Sequence, residues 1–307
     1  MQISPNVLDS EPSDESISAS IIILTKNAGE NLSRLLGRVF SQEFDGRYEV
    51  LLIDSGSTDD TLKIAADFPV IVTEIEPEEF HHGRTRNLGA SLSRGRILVF
   101  VTQDALPADE HWLHTLTSGF KEPKVAIVVG RQIAWQTTKP PERFFYVYNF
   151  PAFKIVVTNG ASDYYRDNVF VSNVNSAVRR DVWQEFRFSE SVLMSEDKEL
   201  AKRVLLAGWT VVYEPDAVVY HAHNAGLQAI FRRSAEYGVS SRQGAAGLPK
   251  SRGLLATKVL NHVTEEWKYL YRNRELKWLP YCLAYDFSVY LGSFLGQVGL
   301  AKPNVRQ

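Results

Sequence analysis

An α/β fold, with a mostly parallel central sheet covered by helices on both faces, is the fold class that the sequence predicts. Short apolar runs rich in β-branched residues alternate along the chain with segments whose apolar residues recur at helical spacing. Polar side chains also cluster directly after several of these runs. In sheets of this kind, ligands bind at the carboxyl ends of the strands, so the same pattern predicts a binding site.

The first part of the chain contains five runs that we predict to be strands, with a helix in each gap: residues 21–25, 50–54, 71–75, 97–101 and 125–130. The helix in the first gap is predicted from five apolar residues at helical spacing: Leu32, Leu35, Leu36, Val39 and Phe40. In the second gap, Ser57 is followed three residues later by Asp60, which is close to a capping box. It would begin a helix that ends near Phe68.

After Gly130 the alternation is replaced by an aromatic-rich segment, PERFFYVYNFP (residues 141–151), which we predict to be a loop. A helix is then expected near residues 196–207, followed by two short strands around residues 211–213 and 218–220. We divide the chain into a disordered N-terminal tail (1–19), a catalytic domain (20–225) and a helical C-terminal extension (226–307).

The net charge and the cysteine content limit the kinds of partner and site that this chain can have. The chain has 307 residues and a formal net charge of −2, so its overall charge does not favour a nucleic-acid partner. Cys282 is the only cysteine, which rules out an internal disulfide and a cysteine-built zinc site and is consistent with a reducing compartment.

The ends of the chain lack the patterns of export and of membrane spanning. Residues 1–20 carry four acidic residues and no basic segment, unlike an export signal. The nearest candidate for the roughly 20 apolar residues of a spanning helix, residues 278–301, is interrupted by Pro280, Asp286 and Gln297. A cytoplasmic location is therefore expected.

Neither common nucleotide fingerprint is present. The turn after the first predicted strand reads TKNAGEN rather than G-x-G-x-x-G, and no P-loop motif occurs. A divalent cation is the usual alternative for holding phosphates. Asp104 after a strand, Asp197 at a helix start, and His221 and His223 after the YEPDAVVY segment offer ligands suited to Mg²⁺ or Mn²⁺ bound to a diphosphate. Spacing alone does not exclude two other roles: the aspartates could cap helices, and the histidines could make structural hydrogen bonds.

Nine segments, in this order, carry a family resemblance: IIILTKNAGENL, VLLIDSGSTDDT, EFHHGRTRNLG, ILVFVTQDALP, VVGRQ, PERFFYVYNFP, FVSNVNSAVRRDVW, SEDKELAKRVLLAGW and YEPDAVVYHAHN. Together they resemble the family-2 glycosyltransferases, which have the glycosyltransferase A fold. More narrowly, FHHGRTRNLG with TQDA and HAHN is similar to the bacterial rhamnosyltransferases of polysaccharide assembly.

The resemblance implies a role for each matching residue. A pocket for the nucleotide-sugar donor would be lined by nine residues: Thr25, Asn27, Asp54, Ser57, Arg84, Arg86, Asn87, Gln103 and Asp104. Within it, Asp54 would accept a hydrogen bond from the pyrimidine ring. The arginines, with Asn87, would contact the base and the diphosphate, for which the fork of Arg86 is suited.

The metal and the base follow from the same resemblance. Asp104 matches the last aspartate of the family's D-x-D motif, and His221 matches the histidine that often completes the metal shell. The first aspartate of that motif is replaced by Thr102, which leaves one fewer carboxylate for the cation. Asp197 matches the catalytic base of the family's ED motif, although acids also favour a plain helix N-terminus.

These roles imply an inverting glycosyltransferase. A carboxylate accepts the proton of an acceptor hydroxyl, while a cation and arginines stabilise the leaving diphosphate. We expect transfer of rhamnose from dTDP-rhamnose to a lipid-linked or oligosaccharide acceptor in cell-surface polysaccharide assembly. The alternatives are a UDP-hexose donor on the same fold, or a non-catalytic module that binds a sugar nucleotide or a glycan.

The C-terminal extension allows two interpretations. Between residues 232 and 277, ten basic and four acidic residues give a local charge of +6, and an apolar, aromatic stretch follows from Trp278. Such a segment suits peripheral contact with the inner face of the cell membrane. A helix that packs on the catalytic domain is the alternative. Gly292 and Gly296 form a weak G-x-x-x-G pair, and the oligomeric state is not predicted.

Overall fold

The computed structural model describes residues 16–158, 171–243 and 252–301, with side chains of the last range from residue 259. Residues 1–15 of the predicted disordered tail lie outside the described residues. The prediction that the tail extends to residue 19 is wrong, because the first strand already begins at Ile17 and pairs with the second.

The sheet is built from nine strands: β1 (Ile17–Thr25), β2 (Arg47–Asp54), β3 (Ile71–Glu74), β4 (Ile97–Val101), β5 (Leu106–Pro107), β6 (Val125–Ile133), β7 (Ile155–Val157), β8 (Asn175–Arg179) and β9 (Thr210–Tyr220). Their spatial order is β3-β2-β1-β4-β8-β6-β9-β5, and β7 also pairs with β9. All five predicted early strands are confirmed.

Ten described helices surround the sheet: α1 (Glu30–Phe40), α2 (Thr61–Ala66), α3 (His82–Leu92), α4 (Trp112–Ser118), α5 (Pro140–Asn149), α6 (Arg180–Phe186), α7 (Glu196–Leu206), α8 (Leu227–Arg242), α9 (Arg252–Arg272) and α10 (Leu279–Gln297). Short 3₁₀ turns occupy Pro77–Glu79, Gly119–Lys121 and Leu276–Trp278.

The α/β class is confirmed, and the sheet is mixed. Strands β3, β2, β1 and β4 are parallel neighbours, as the strand–helix alternation predicts. Strand β8 then lies antiparallel between β4 and β6, and β6 pairs in parallel with β9. The two predicted late strands are one, β9, whose pairing slips where Gly130 faces Glu214 and Arg131 faces Val218.

Both faces of the sheet are covered. Ile21, Ile22 and Ile23 of β1 are all 0% exposed, because alternate residues point to opposite faces and each face is packed. Ile21 and Ile23 lie with α1 and α4 in one apolar cluster. Ile22 lies on the other side with residues of α6 and α7. This two-sided burial explains why the central strands are almost uniformly apolar.

Two local predictions are wrong. Helix α2 begins at Thr61, not Ser57, because Asp59 Oδ1 accepts hydrogen bonds from the Thr61 amide (3.0 Å) and hydroxyl (2.5 Å). The segment 141–151 is mainly a helix, α5, rather than a loop. It starts with two prolines, which are tolerated in a first helical turn because no hydrogen-bond donor is needed there.

The extension from residue 226 packs on the rest of the protein. Phe144 of α5 lies against His262 and Tyr269 of α9, with ring centroids 5.1 and 5.6 Å apart. Helix α10 crosses α8 closely, and a Cβ added to Gly292 would meet Phe231 O at 2.5 Å. Packing on the catalytic part is therefore observed. In the part of the chain that the structure describes, no helix has the length and apolar character needed to cross a membrane.

Candidate active site

Asp54 organises the loop after β2. It is 0% exposed, and its Oδ2 accepts hydrogen bonds from Thr25 Oγ1 (2.9 Å) and Ser57 Oγ (2.6 Å). Its Oδ1 accepts from the amides of Gly56 (3.0 Å) and Ser57 (2.8 Å). Because both oxygens are engaged inside the protein, the prediction that Asp54 accepts a hydrogen bond from a pyrimidine ring is not supported. Its carboxylate fixes the turn instead.

Three loops at the carboxyl ends of β1, β2 and β4 are bound to one another. The Asn27 amide donates to Ser57 Oγ (2.8 Å), and Asn27 Oδ1 accepts from the Thr58 amide (2.8 Å). Gln103 bridges to the main chain of Lys26, accepting from its amide (2.8 Å) and donating to its carbonyl (3.1 Å). The structure thus brings Thr25, Asn27, Ser57 and Gln103 together as a hydrogen-bonded rim.

Asp104, His221 and His223 form a candidate metal site. Asp104 Oδ2 lies 3.6 Å from His221 Nε2 and 3.3 Å from His223 Nδ1, and one ligand atom from each residue lies within 4.8 Å of the others. The predicted pair is brought together by the ends of β4 and β9. His223, which the sequence indicated only by its position near His221, is a third candidate ligand. One carboxylate and two imidazoles fit a divalent cation such as Mn²⁺.

His221 is oriented by a second layer of residues. Its Nδ1 lies 2.9 Å from the Tyr146 hydroxyl and 3.1 Å from Gln132 Oε1. With a cation on Nε2, Nδ1 would carry the proton and donate it to Gln132 Oε1, because the Gln132 carbonyl can only accept. Glu142 holds the neighbouring loop by accepting from the amides of His223 (2.7 Å) and Asn224 (2.8 Å).

Helix α5 therefore supports the site through Glu142 and Tyr146, one helical turn apart. Sequence reasoning missed both residues, as well as Gln132. The four-residue spacing after a pair of prolines was the available signal, but the aromatic content suggested a loop. A cavity of about 100 Å³ also reaches Asp104 from the side of α1, with Arg34, Gln103 and Trp135 in its lining.

The pKa shifts of Asp104 and His223 favour the protonation states in which these side chains can bind a cation. Burial raises the pKa of Asp104, but the hydrogen bond from His221 and the charges of His221 and His223 outweigh it and hold that pKa well below its ordinary value. Burial, with the charge of Arg233, lowers the pKa of His223 to about 4. At neutral pH the carboxylate is therefore ionised and the His223 imidazole is neutral, as cation binding requires.

Asp197, the predicted base, is the second residue of α7. Its Oδ2 accepts from the Asn173 amide (3.0 Å), and its Oδ1 accepts from the Lys198 amide (2.7 Å). Burial and the adjacent charge of Glu196 raise the pKa of Asp197, and this direction suits a group that must accept a proton near neutral pH. Ser195, just before α7, has φ = 68°, a left-handed conformation that is uncommon for serine.

Arg86 is engaged by a carboxylate. Its Nη1 lies 2.7 Å from Glu196 Oε1, and the two side chains are only 9% and 4% exposed. Glu196 Oε1 also accepts from Asn173 Nδ2 (3.1 Å). Arg86 therefore anchors the residue that precedes Asp197, and the prediction that it contacts the donor is not supported by this geometry.

Asn87 and Arg84 are also turned to other partners. The buried Asn87 amide donates to Phe188 O (2.9 Å) and to Glu190 Oε1 (3.0 Å), and its oxygen accepts from Trp183 Nε1 (3.0 Å). These hydrogen bonds give Asn87 a structural role in place of the predicted contact with the nucleotide-sugar donor. Arg84 is exposed and lies 3.6 Å from Glu190.

Comparison with known proteins extends these observations. The family model described as glycosyl transferase family 2 matches residues 20–186. The O-antigen chain rhamnosyltransferase RfbN of Salmonella typhimurium is 31% identical over 282 residues, covering 91% of this chain and 89% of that protein. The O-antigen chain rhamnosyltransferase WbaN of Salmonella anatum is 30% identical over 283 residues, with the same coverage.

Solved structures agree on the fold. The mannosyltransferase PcManGT from Pyrobaculum calidifontis, in complex with GDP-Man and Mn²⁺, has a TM-score of 0.57 at 17% identity, covering 96% of this chain and 84% of that one. Residues 1–349 of S. aureus TarS, in complex with UDP-GlcNAc, have a TM-score of 0.56 at 16% identity, covering 92% of each chain. The chain therefore belongs to the family-2 glycosyltransferases, has the glycosyltransferase A fold, and is similar to bacterial O-antigen rhamnosyltransferases.

Proposed function

We propose that this glycosyltransferase transfers rhamnose from dTDP-rhamnose to a glycan acceptor in cell-surface polysaccharide assembly, with inversion at the anomeric carbon. Similarity to two O-antigen rhamnosyltransferases over 91% of the chain supports the sugar. The observation that carries the mechanism is Asp197, one carboxylate with a raised pKa at the start of α7. A single base is what an inverting displacement needs.

In this mechanism the Asp197 carboxylate accepts the proton of the acceptor hydroxyl. The hydroxyl oxygen forms a bond to the anomeric carbon as the bond to the diphosphate oxygen breaks, and the electron pair leaves with the diphosphate. Arg86 keeps Glu196 in place, so that Asp197 has a fixed neighbour. A Mg²⁺ or Mn²⁺ ion held by Asp104, His221 and His223 would stabilise the charge of the leaving group.

The C-terminal helices support a peripheral position at the inner face of the cell membrane, with a lipid-linked acceptor. On α10 and at its C-cap, four apolar residues are exposed: Leu283 (46%), Phe287 (67%), Phe294 (55%) and Val298 (49%). Their spacing of four, seven and four residues places them on one helical face. Exposed apolar and aromatic side chains near basic residues suit an anionic membrane surface. We propose that the catalytic domain begins with β1 and ends at residue 225, and that residues 226–307 are its extension.

A UDP-hexose donor is the second candidate. It is favoured by the structural likeness to TarS, which was solved in complex with UDP-GlcNAc. A thermal-shift comparison of dTDP-rhamnose, UDP-GlcNAc and GDP-mannose separates the candidates, because a ligand that binds only the folded state raises its stability. The largest shift should come from dTDP-rhamnose, and a larger shift with UDP-GlcNAc would replace the proposed donor.

The reaction itself is tested with Asp197→Asn. The amide cannot accept the proton, so turnover should fall by roughly 10²-fold or more while donor affinity changes little. Glu199→Gln is the matched control, because Glu199 lies on the same helix and pairs with Arg203 at 2.7 Å. Near-normal turnover of the Asp197→Asn enzyme would show that Asp197 only caps α7 and that the base lies elsewhere.

A further inference from the structure

The donor's diphosphate lacks an arginine partner among the residues that the sequence nominated. Arg86 is paired with Glu196 inside the protein, and Arg84 lies beside Glu190 at the surface. The cation site has one carboxylate, because Thr102 replaces the first aspartate of the motif. A further positive group from outside the motifs would therefore strengthen the binding of a nucleoside diphosphate.

Helix α8 presents one face to the start of α7. Tyr237 OH accepts from Lys198 Nζ (2.7 Å), and Ser240 Oγ accepts from the Met194 amide (3.0 Å). Arg233 lies four residues before Tyr237 and seven before Ser240, so all three share a helical face. Because Lys198 follows Asp197 directly, Arg233 is placed one turn further along a face that already contacts the base-bearing helix.

Arg233 is close to two parts of the candidate site. The loop that carries His223, beside Asp104, leads directly into α8, and Arg233 lies in the second turn of that helix. Its charge also contributes, after burial, Arg86 and His81, to lowering the pKa of His82, a residue that the charge of Asp197 reaches as well. Arg233 is exposed, and among the described residues no carboxylate forms an ion pair with it.

We propose that Arg233 binds the diphosphate of the nucleotide-sugar donor, opposite the cation held by Asp104, His221 and His223. Its planar guanidinium can donate two parallel hydrogen bonds to phosphate oxygens, which a lysine cannot. It would also stabilise the charge that develops on the leaving diphosphate. This inference rests on the proposed function and adds a residue that lies outside the residues 20–186 matched by the family model.

The test compares ligands that differ only in phosphate number. Calorimetry with the full-length protein and Mn²⁺ measures binding of dTDP, UDP and GDP, and of the corresponding monophosphates. Arg233→Gln should weaken the preferred diphosphate by about tenfold to a hundredfold, the range for a lost charge-assisted hydrogen bond. The monophosphate should change by less than about threefold, and Arg233→Lys should recover part of the loss.

Arg232→Gln is the matched control, because Arg232 is an exposed arginine one position away on α8, about 100° around the helix. It should bind the diphosphate like the wild type. Wild-type binding of a diphosphate with no loss in Arg233→Gln, or with an equal loss for the monophosphate, would overturn the assignment of Arg233 alone. Failure of the wild type to bind any of the three diphosphates would overturn the proposed function as well.

Discussion

Removing the Tyr146 hydroxyl should weaken cation binding without disturbing the fold. Tyr146 is 4% exposed, and Tyr146→Phe keeps its ring and its packing. What is lost is one of the two partners of His221 Nδ1, at 2.9 Å, while Gln132 remains at 3.1 Å. A neutral hydrogen bond is worth about 0.5–1.5 kcal/mol, which corresponds to about a 2- to 12-fold weaker affinity for Mn²⁺.

Removing both partners should have a larger effect. In Tyr146→Phe combined with Gln132→Met, Nδ1 has neither of its observed partners and the imidazole is no longer held in the ligand tautomer. Loss of such outer partners costs about 10- to 100-fold in metal affinity. Donor hydrolysis at increasing Mn²⁺ concentration measures the apparent affinity, and the maximal rate at saturating Mn²⁺ should be largely kept.

Tyr148→Phe is the control for this series. Tyr148 lies on the same helix but faces His262 of α9, with ring centroids 5.2 Å apart. Its hydroxyl has no part in the proposed second layer, so Mn²⁺ affinity should stay at the wild-type value. An unchanged Mn²⁺ affinity in the double variant, or an equal loss in Tyr148→Phe, would refute the role given to α5.

Three further outcomes are expected. Gly296→Ala places a Cβ against a carbonyl of α8 and should cost about 1–3 kcal/mol of stability by denaturant unfolding, whereas Gly37→Ala, with open space at its Cβ, should not destabilise. Burial and a neighbouring aspartate raise the pKa of Glu266 to about 7, so the folded state retains a proton that the unfolded state has lost above its ordinary pKa of 4.5. Stability should fall as pH rises from 5 to 7, and an unaltered slope in Glu266→Gln would contradict this. Phe287→Ser with Phe294→Ser should reduce co-sedimentation with anionic liposomes at low salt, and equal sedimentation of variant and wild type would reject α10 as the membrane-facing surface.

The parallel half of the fold could be predicted because it depends on local pattern. The β-branched runs of β1, β2 and β4 are typical of buried strands. Because ligand sites form at the carboxyl ends of such strands, Asp104 and His221 could be expected to lie close together. Side-chain pairing could not be predicted, because it depends on packing between distant segments. Arg86 and Glu196 are 110 residues apart, and nothing in either motif indicates that they neutralise each other.

The same limit explains the error at α5. A run of aromatic residues after two prolines has no clear amphipathic period, since Phe144, Tyr146 and Phe150 are buried against different neighbours. Only the fold shows that α5 lies between the loop that carries His221 and His223 and the C-terminal helices. The proposed role of Arg233 could not be predicted for a related reason: in the sequence it is one of ten basic residues in a charged stretch, and only the structure places it on a defined helical face.

The position of α5 limits how far the C-terminal extension can be treated as an exchangeable module. Phe144 contacts α9, and Lys139 lies with its Nζ 5.3 Å from the ring of Tyr281 on α10. The same ten-residue helix supplies Glu142 and Tyr146 to the histidine loop. A chimera that exchanges residues 226–307 with those of a relative must therefore carry the matching α5, because this helix contacts both the exchanged helices and the loop of the candidate metal site.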